Sequence, residues 1–94
     1  MQPTSLAAYE SIRAELSRRE FEVYHALRQL GPMTNEELSD LLKHPINQIT
    51  GRTRGLVLHK GIFGHSNPLV WDGGVRRAGK SGRMAIVWEV VGGV

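Results

Sequence analysis

The chain has 94 residues, 22% of them charged, no cysteine and a formal net charge of +3. That length fits one domain with a modest core and is too short for a nucleotide-hydrolysing α/β sheet. The lack of cysteine excludes a disulfide framework, and no apolar run approaches the roughly 18 residues of a membrane span.

The opening Met-Gln-Pro-Thr-Ser has no basic start followed by an apolar stretch, so a cytoplasmic protein without a secretory signal is expected. Thr4 or Ser5 can begin a helix that carries Leu6, Tyr9, Ile12 and Leu16 along one face. Ser17-Arg-Arg-Glu20 is a capping box, so residues 1–17 are read as a separate N-terminal helix, a packing or dimer element ahead of the domain at 18–94. Phe21, Tyr24, Leu27 and Leu30 form the apolar stripe of the next helix, and Gly31-Pro32 stops it. Thr34-Asn-Glu-Glu37 is a second capping box, opening a short helix with Leu38, Leu41 and Leu42 inward. His44-Pro45 breaks that helix, His44 is a candidate cap, and the proline suits the first turn of another helix. Ile46, Ile49, Thr53, Leu56 and Val57 set its buried face, Lys60 falls in its last turn and Gly61 takes the left-handed stop. Gly51 and Gly55 inside it each cost about 1 kcal/mol relative to alanine.

The second half changes character. Ile62-Phe63 and Leu69-Val70-Trp71 read as short strands and Met84 to Val91 as the clearest strand, with residues 72–83 as a Gly-, Arg- and Lys-rich loop between them. Met84, Ile86, Trp88 and Val90 would share one face of that last strand.

The charge is unevenly placed. Residues 1–43 hold five Arg/Lys against seven Asp/Glu, whereas residues 44–83 hold seven Arg/Lys against Asp72 alone. A basic stretch in an otherwise near-neutral domain points to a polyanionic partner.

Within that stretch, Gly74-Val-Arg-Arg-Ala-Gly79-Lys80-Ser81 fits every fixed position of the phosphate-loop pattern. A phosphate loop requires a helix that starts at the lysine, so that free amides and the helix dipole face the anion. Gly82 and the β-branched residues beyond it oppose a helix, and no acidic residue at a strand end follows to help hold magnesium. The match is read as an accident of a hairpin loop, and no bound nucleotide is expected. A flexible basic loop can instead lie along a phosphate backbone.

The order helix, helix, tight turn, helix, strand, basic hairpin, strand resembles a winged helix-turn-helix DNA-binding domain of bacterial and phage regulators. The resemblance rests on MTNEELSDLLKHPINQITGRTRGLVLHKGIF (33–63) and GRMAIVWEV (82–90) and covers residues 18–91, about four fifths of the chain. It implies an α+β fold, a bundle of three to four helices with a C-terminal β-hairpin wing. It further implies that helix 46–60 reads the major groove of double-stranded DNA and that the wing meets phosphates or the minor groove. The helical wheel then places Asn47, Gln48, Gly51, Arg52, Arg54 and Gly55 outward. Asn and Gln can pair with adenine and Arg with guanine, and bare backbone at the glycines allows close approach. Arg76, Arg77, Lys80 and Arg83 are the wing candidates. Thr34 and Asn35, at a helix start, could touch phosphate, although capping alone accounts for Thr34. The wing at 64–83 is longer than the common short hairpin, and glycines are unusual within the recognition helix of such domains.

His25, His44, His59 and His65 do not have metal-ligand spacing, and no Ser/His/Asp order suggests a nucleophile. No cofactor and no catalysis are expected. Trp71 and Trp88 are read as hairpin or core packing. The leading expectation is a small sequence-specific transcriptional regulator that binds double-stranded DNA, with a homodimer left open. The alternative is a winged helix that docks on a replication or transcription protein, for which the apolar stripe at 6–16 and Trp71 would serve.

Overall fold

The computed structural model describes Arg13, Ala14, residues 16–60 and residues 64–91. Among these, three helices, α1 (Arg18–Leu30), α2 (Asn35–Leu42) and α3 (Ile46–Val57), precede two antiparallel strands, β1 (Val70–Ala78) and β2 (Met84–Val90). The α+β class expected from the sequence is therefore observed. The N-terminal helix expected around Leu6, Tyr9 and Ile12 lies outside the described residues, as do the stop at Gly61 and the strand at Ile62-Phe63.

Both capping boxes form. Ser17 Oγ accepts from the Glu20 amide at 3.2 Å and Glu20 Oε1 accepts from the Ser17 amide at 3.2 Å. Thr34 Oγ1 accepts from the Glu37 amide at 3.2 Å and Glu37 Oε1 accepts from the Thr34 amide at 2.9 Å. These reciprocal bonds satisfy amides that a helix start leaves open, so each box fixes where its helix begins. α1 closes on Gly31 at φ 96°, a conformation that favours glycine. α2 closes on Lys43 at φ 58°, a left-handed position that a side chain rarely adopts.

Three apolar positions read as inward turn out otherwise. Leu30 is 65% exposed, because it is the last residue of α1 and lies past the reach of the core. Ile46 is 49% exposed, because it opens α3 beyond Pro45, before the buried turn formed by Ile49 and Thr53. Leu41 is likewise exposed, while Leu38 is fully buried and Leu42 packs partly against the core.

α3 ends at Val57 rather than Lys60. The returning chain takes over its last carbonyls: the Leu69 amide donates to Leu56 O at 3.0 Å and the Asn67 amide to His59 O at 2.8 Å. Lys60 instead makes an isolated antiparallel bridge with Ser66.

The core is assembled from Val23, Tyr24, Ala26 and Leu27 of α1, Leu38 of α2, Ile49 and Leu56 of α3, and Leu69 and Val70 at the entry to the hairpin. Trp88 and Val90 of β2 pack against it, but burial along β2 does not follow the expected alternation: Val87, outside the expected face, is its buried residue, and Met84 at the far end is exposed. β2 also reaches back to the chain just ahead of α2. Met33 and Trp88 exchange two backbone hydrogen bonds, at 3.1 and 2.8 Å.

The expected loop at 72–83 is mostly strand. β1 runs through Ala78, and only residues 79–83 make the tip, where the Gly79 amide donates to Arg83 O at 2.9 Å. The pairing passes from Asp72↔Trp88 to Arg76↔Ile86, so a bulge occupies residues 73–75. Gly74 adopts φ 84° there, and its amide donates to Asp72 Oδ1 at 2.9 Å. The same carboxylate takes a two-pronged bond from Arg76, at 2.8 and 2.9 Å, which pins the bulge from the other side. The glycines that suggest a loop in sequence therefore serve a bulge inside a strand. The phosphate-loop-like segment 74–81 spans the end of β1 and the tip, and β2, not a helix, follows it.

Candidate nucleic-acid interface

α3 is amphipathic in a way that leaves a polar face open. Ile49, Thr53 and Leu56 are buried, whereas Asn47, Gln48, Thr50, Gly51, Arg52 and Arg54 are exposed. One turn of helix separates Asn47 from Gly51, and Arg54 lies three residues on, so these share one ridge. Leu58, exposed just past the helix end, extends that ridge with an apolar side chain absent from the sequence-based set. Gln48 and Arg52 flank it.

The two glycines of α3 separate in role. A Cβ at Gly51 would meet nothing within 4 Å, so the outer ridge is open at that point. A Cβ at Gly55 would lie 2.6 Å from Glu20 Oε2 of α1. Gly55 is thus not outward, contrary to the wheel; it gives room to the capping carboxylate of the neighbouring helix.

The start of α2 is turned to internal work. Thr34 is 3% exposed and its hydroxyl is used in the cap, so it offers no surface to a phosphate. Asn35 braces α3: Thr53 Oγ1 lies 2.7 Å from Asn35 Oδ1 and 2.6 Å from Ile49 O, its single proton shared between two acceptors. Asn35 Nδ2 also reaches Thr50 Oγ1 at 3.5 Å. Asn35 remains half-exposed at the surface, beside the exposed Thr50.

The hairpin cations are largely engaged. Arg76 is held by Asp72 within β1. Arg77 sends one guanidinium nitrogen to both oxygens of Glu37 on α2, at 2.5 and 2.6 Å. Lys80 Nζ lies 2.8 Å from Asp40 Oδ2, and the Lys80 amide donates to Glu36 Oε1 at 2.8 Å. Gly79 permits this approach, since a Cβ there would lie 2.9 Å from Glu36 Oε2. These carboxylates are missing from the sequence-based site. Their only sequence signal is an acidic run in α2 of opposite sign to the hairpin.

The titration behaviour follows these contacts. The Glu37 carboxyl is held below its ordinary value chiefly by the Thr34 amide; burial opposes this next, and the bond and charge of Arg77 add to the lowering. Asp72 is lowered by its bond with Arg76 and by the Gly74 amide. Lys80 is raised by Asp40, through both the hydrogen bond and the charge.

Arg52, Arg54 and Arg83 make no ion pair among the described residues, so they are the open cations of the expected interface. All three are exposed.

Elsewhere, His44 does not cap α3, whose N-cap is Pro45 and which has no side-chain cap bond. Its ring binds α1 instead: Nε2 lies 2.8 Å from Arg19 Nη1 and 3.3 Å from Glu22 Oε2. Burial pushes the Glu22 carboxyl up, but the contacts with His44 and Arg19 outweigh this and leave it lowered. Trp71 is half-exposed and its indole N–H donates to Glu89 Oε1 at 2.9 Å. An apolar groove of about 450 Å³ runs between α1 and α2, lined by Phe21, His25, Ala26, Leu30, Leu41 and Leu42 among others. Among the described residues, no three His, Cys, Asp or Glu side chains gather as a metal site, and no helix is long and apolar enough to cross a membrane.

No family model matches the chain, and comparisons with curated proteins and with solved structures return no significant match.

Proposed function

We propose that the chain is a winged helix-turn-helix domain that binds double-stranded DNA by occupying a site, without covalent chemistry. The observation that carries the reading is the face of α3, where Asn47, Gln48, Gly51, Arg52 and Arg54 are exposed while Ile49, Thr53 and Leu56 anchor the helix in the core. These are the residue types that pair with base edges: Asn and Gln with adenine, Arg with guanine, at roughly 1–3 kcal/mol of discrimination for each good pair. The topology supports it. A tight turn joins α2 to α3, and β2, which bridges to Met33 immediately before α2, holds the hairpin beside that helix pair. In this reading α3 lies in the major groove, and Arg83 with the hairpin tip meets the backbone.

The test is selection from a pool of random-sequence duplexes at several salt concentrations. Enrichment of a common sequence, with affinity that falls steeply with salt, is the expected result. No binding at about 50 mM salt, or affinity indifferent to salt, rejects the reading. Arg54→Ala and Arg52→Ala should relax preference at single positions, whereas Arg83→Ala should weaken all sequences alike.

A docking module for another protein is favoured by one observation, the groove between α1 and α2 with Leu30 and Leu41 open to water. Stoichiometric recovery of one protein partner, unaffected by nuclease and lost on Leu41→Glu, would support that reading instead.

A further inference from the structure

The hairpin carries Arg76, Arg77, Lys80 and Arg83, yet it does not present them as a free basic surface. It bends onto α2, and three successive contacts hold it there: Arg77 on Glu37, the Lys80 ammonium on Asp40, and the Lys80 amide on Glu36. Glu36 and Asp40 are one helical turn apart and Glu37 lies beside them, so the carboxylates form one strip along α2, part-buried at Glu36 and Glu37 and exposed at Asp40. Gly79 leaves room for the contact, since a Cβ there would lie 2.9 Å from Glu36 Oε2 and the carboxylate would have to shift.

A guanidinium, an ammonium and a backbone amide are the groups that bind a phosphodiester. We propose that the hairpin tip is an anion-binding site which α2 occupies with its own carboxylates, and that backbone phosphate gains Arg77, Lys80 and the Lys80 amide only by displacing Glu36, Glu37 and Asp40. This rests on the DNA-binding reading above and adds a regulation to it. The latch is breakable. The pairs are exposed to water, where such contacts are weak and are screened by salt. A polyanion presents a denser and more persistent array of charge than three carboxylates. Arg76 is paired with Asp72 within the bulge and is not one of the cations that α2 covers. Arg83 stands outside the latch and is available to a first phosphate while the tip is still closed.

The experiment measures duplex binding by the full chain as wild type, Glu37→Gln/Asp40→Asn, and Glu22→Gln. The last removes one carboxylate, whose partners are Arg19 and His44, so doubling its effect on log affinity gives what net charge alone would do in the double variant. Glutamine at 37 can still serve the capping box, and Asp40→Asn alone leaves that cap untouched, so a folded variant is secured. The latch predicts that the double variant binds roughly threefold to tenfold more tightly than that charge-only expectation. Its affinity should also fall more steeply with salt, by about one unit of slope per cation released to phosphate. Asp40→Asn alone should move in the same direction by less. If the double variant matches the charge-only expectation in affinity and slope while the wild type binds duplex, the latch is wrong and the DNA-binding reading stands. If no form binds duplex, both fall. If only the double variant binds, both are supported.

Discussion

Met33 and Trp88 exchange both of their backbone hydrogen bonds, at 3.1 and 2.8 Å, and this reciprocal pair ties the hairpin to the chain entering α2. The hairpin also meets the helices through Leu69, Val70, Trp88 and Val90, through the Leu69 and Lys80 amides, and through exposed ion pairs. Met33→Pro removes the donor to Trp88 O and should cost about 1–3 kcal/mol, as an unmade bond in a part-buried setting does. Met33→Leu keeps both bonds and should stay within about 1 kcal/mol of wild type. Urea denaturation followed by circular dichroism measures both; equal losses would mean that the bridge contributes only side-chain packing.

Gly51→Ala separates stability from binding. Nothing lies within 4 Å of the added methyl, so the helix should gain up to about 1 kcal/mol. The methyl also stands on the ridge proposed to enter the groove, where it holds the helix away from the bases. A variant that melts higher and binds its selected duplex more weakly is the expected outcome. Gain on both counts would move the contact surface away from Gly51. At Gly55 the same change gives no such clean gain, because the methyl meets Glu20.

These two positions also show what could be read from sequence. The wheel marks both glycines as outward, and only the packing of α1 on α3 distinguishes them. Local signals transfer well: Ser17 with Glu20 and Thr34 with Glu37 are three residues apart, so each capping box is complete within a short string. The extent of β1 is not local. Gly73 and Gly74 look like loop residues until Glu89, from the facing strand, is seen lying over Gly73, and Asp72 is seen holding both Gly74 and Arg76. The hairpin charges are the least legible of all. Arg77 and Glu37 are forty residues apart, and net charge does not reveal which carboxylate a cation will meet.

Asn35 distinguishes a brace from a phosphate contact. Asn35→Asp keeps an acceptor for the Thr53 hydroxyl and puts a negative charge at the start of α2, where it favours the helix. Stability should therefore hold within about 0.5 kcal/mol, even with the long contact to Thr50 lost. If Asn35 also lies against the duplex backbone, the new carboxylate will weaken binding to every sequence. Unchanged binding would confine Asn35 to bracing α3. Thermal melts and a binding isotherm on one preparation decide between the two.

Acid should loosen the hairpin from α2, and the sign follows from Glu37. Its carboxyl titrates below the ordinary value of 4.5 in the folded chain, held by the Thr34 amide and by Arg77. A lowered folded value means that the unfolded chain binds the proton more readily. The stabilisation is therefore complete above the ordinary carboxyl range and is lost as pH falls through the lower folded value. Asp72, lowered by Arg76 and the Gly74 amide, acts in the same direction. Stability measured by urea denaturation should be flat from pH 7 to about 5 and decline below about 4.5. Glu37→Gln has no proton to take up there, so its decline should be shallower than that of wild type. Because the pair is open to water, the difference between the two curves should not exceed about 1 kcal/mol. Parallel curves would mean that Glu37 feels the same environment folded and unfolded, and that its bond with Arg77 contributes nothing to the fold.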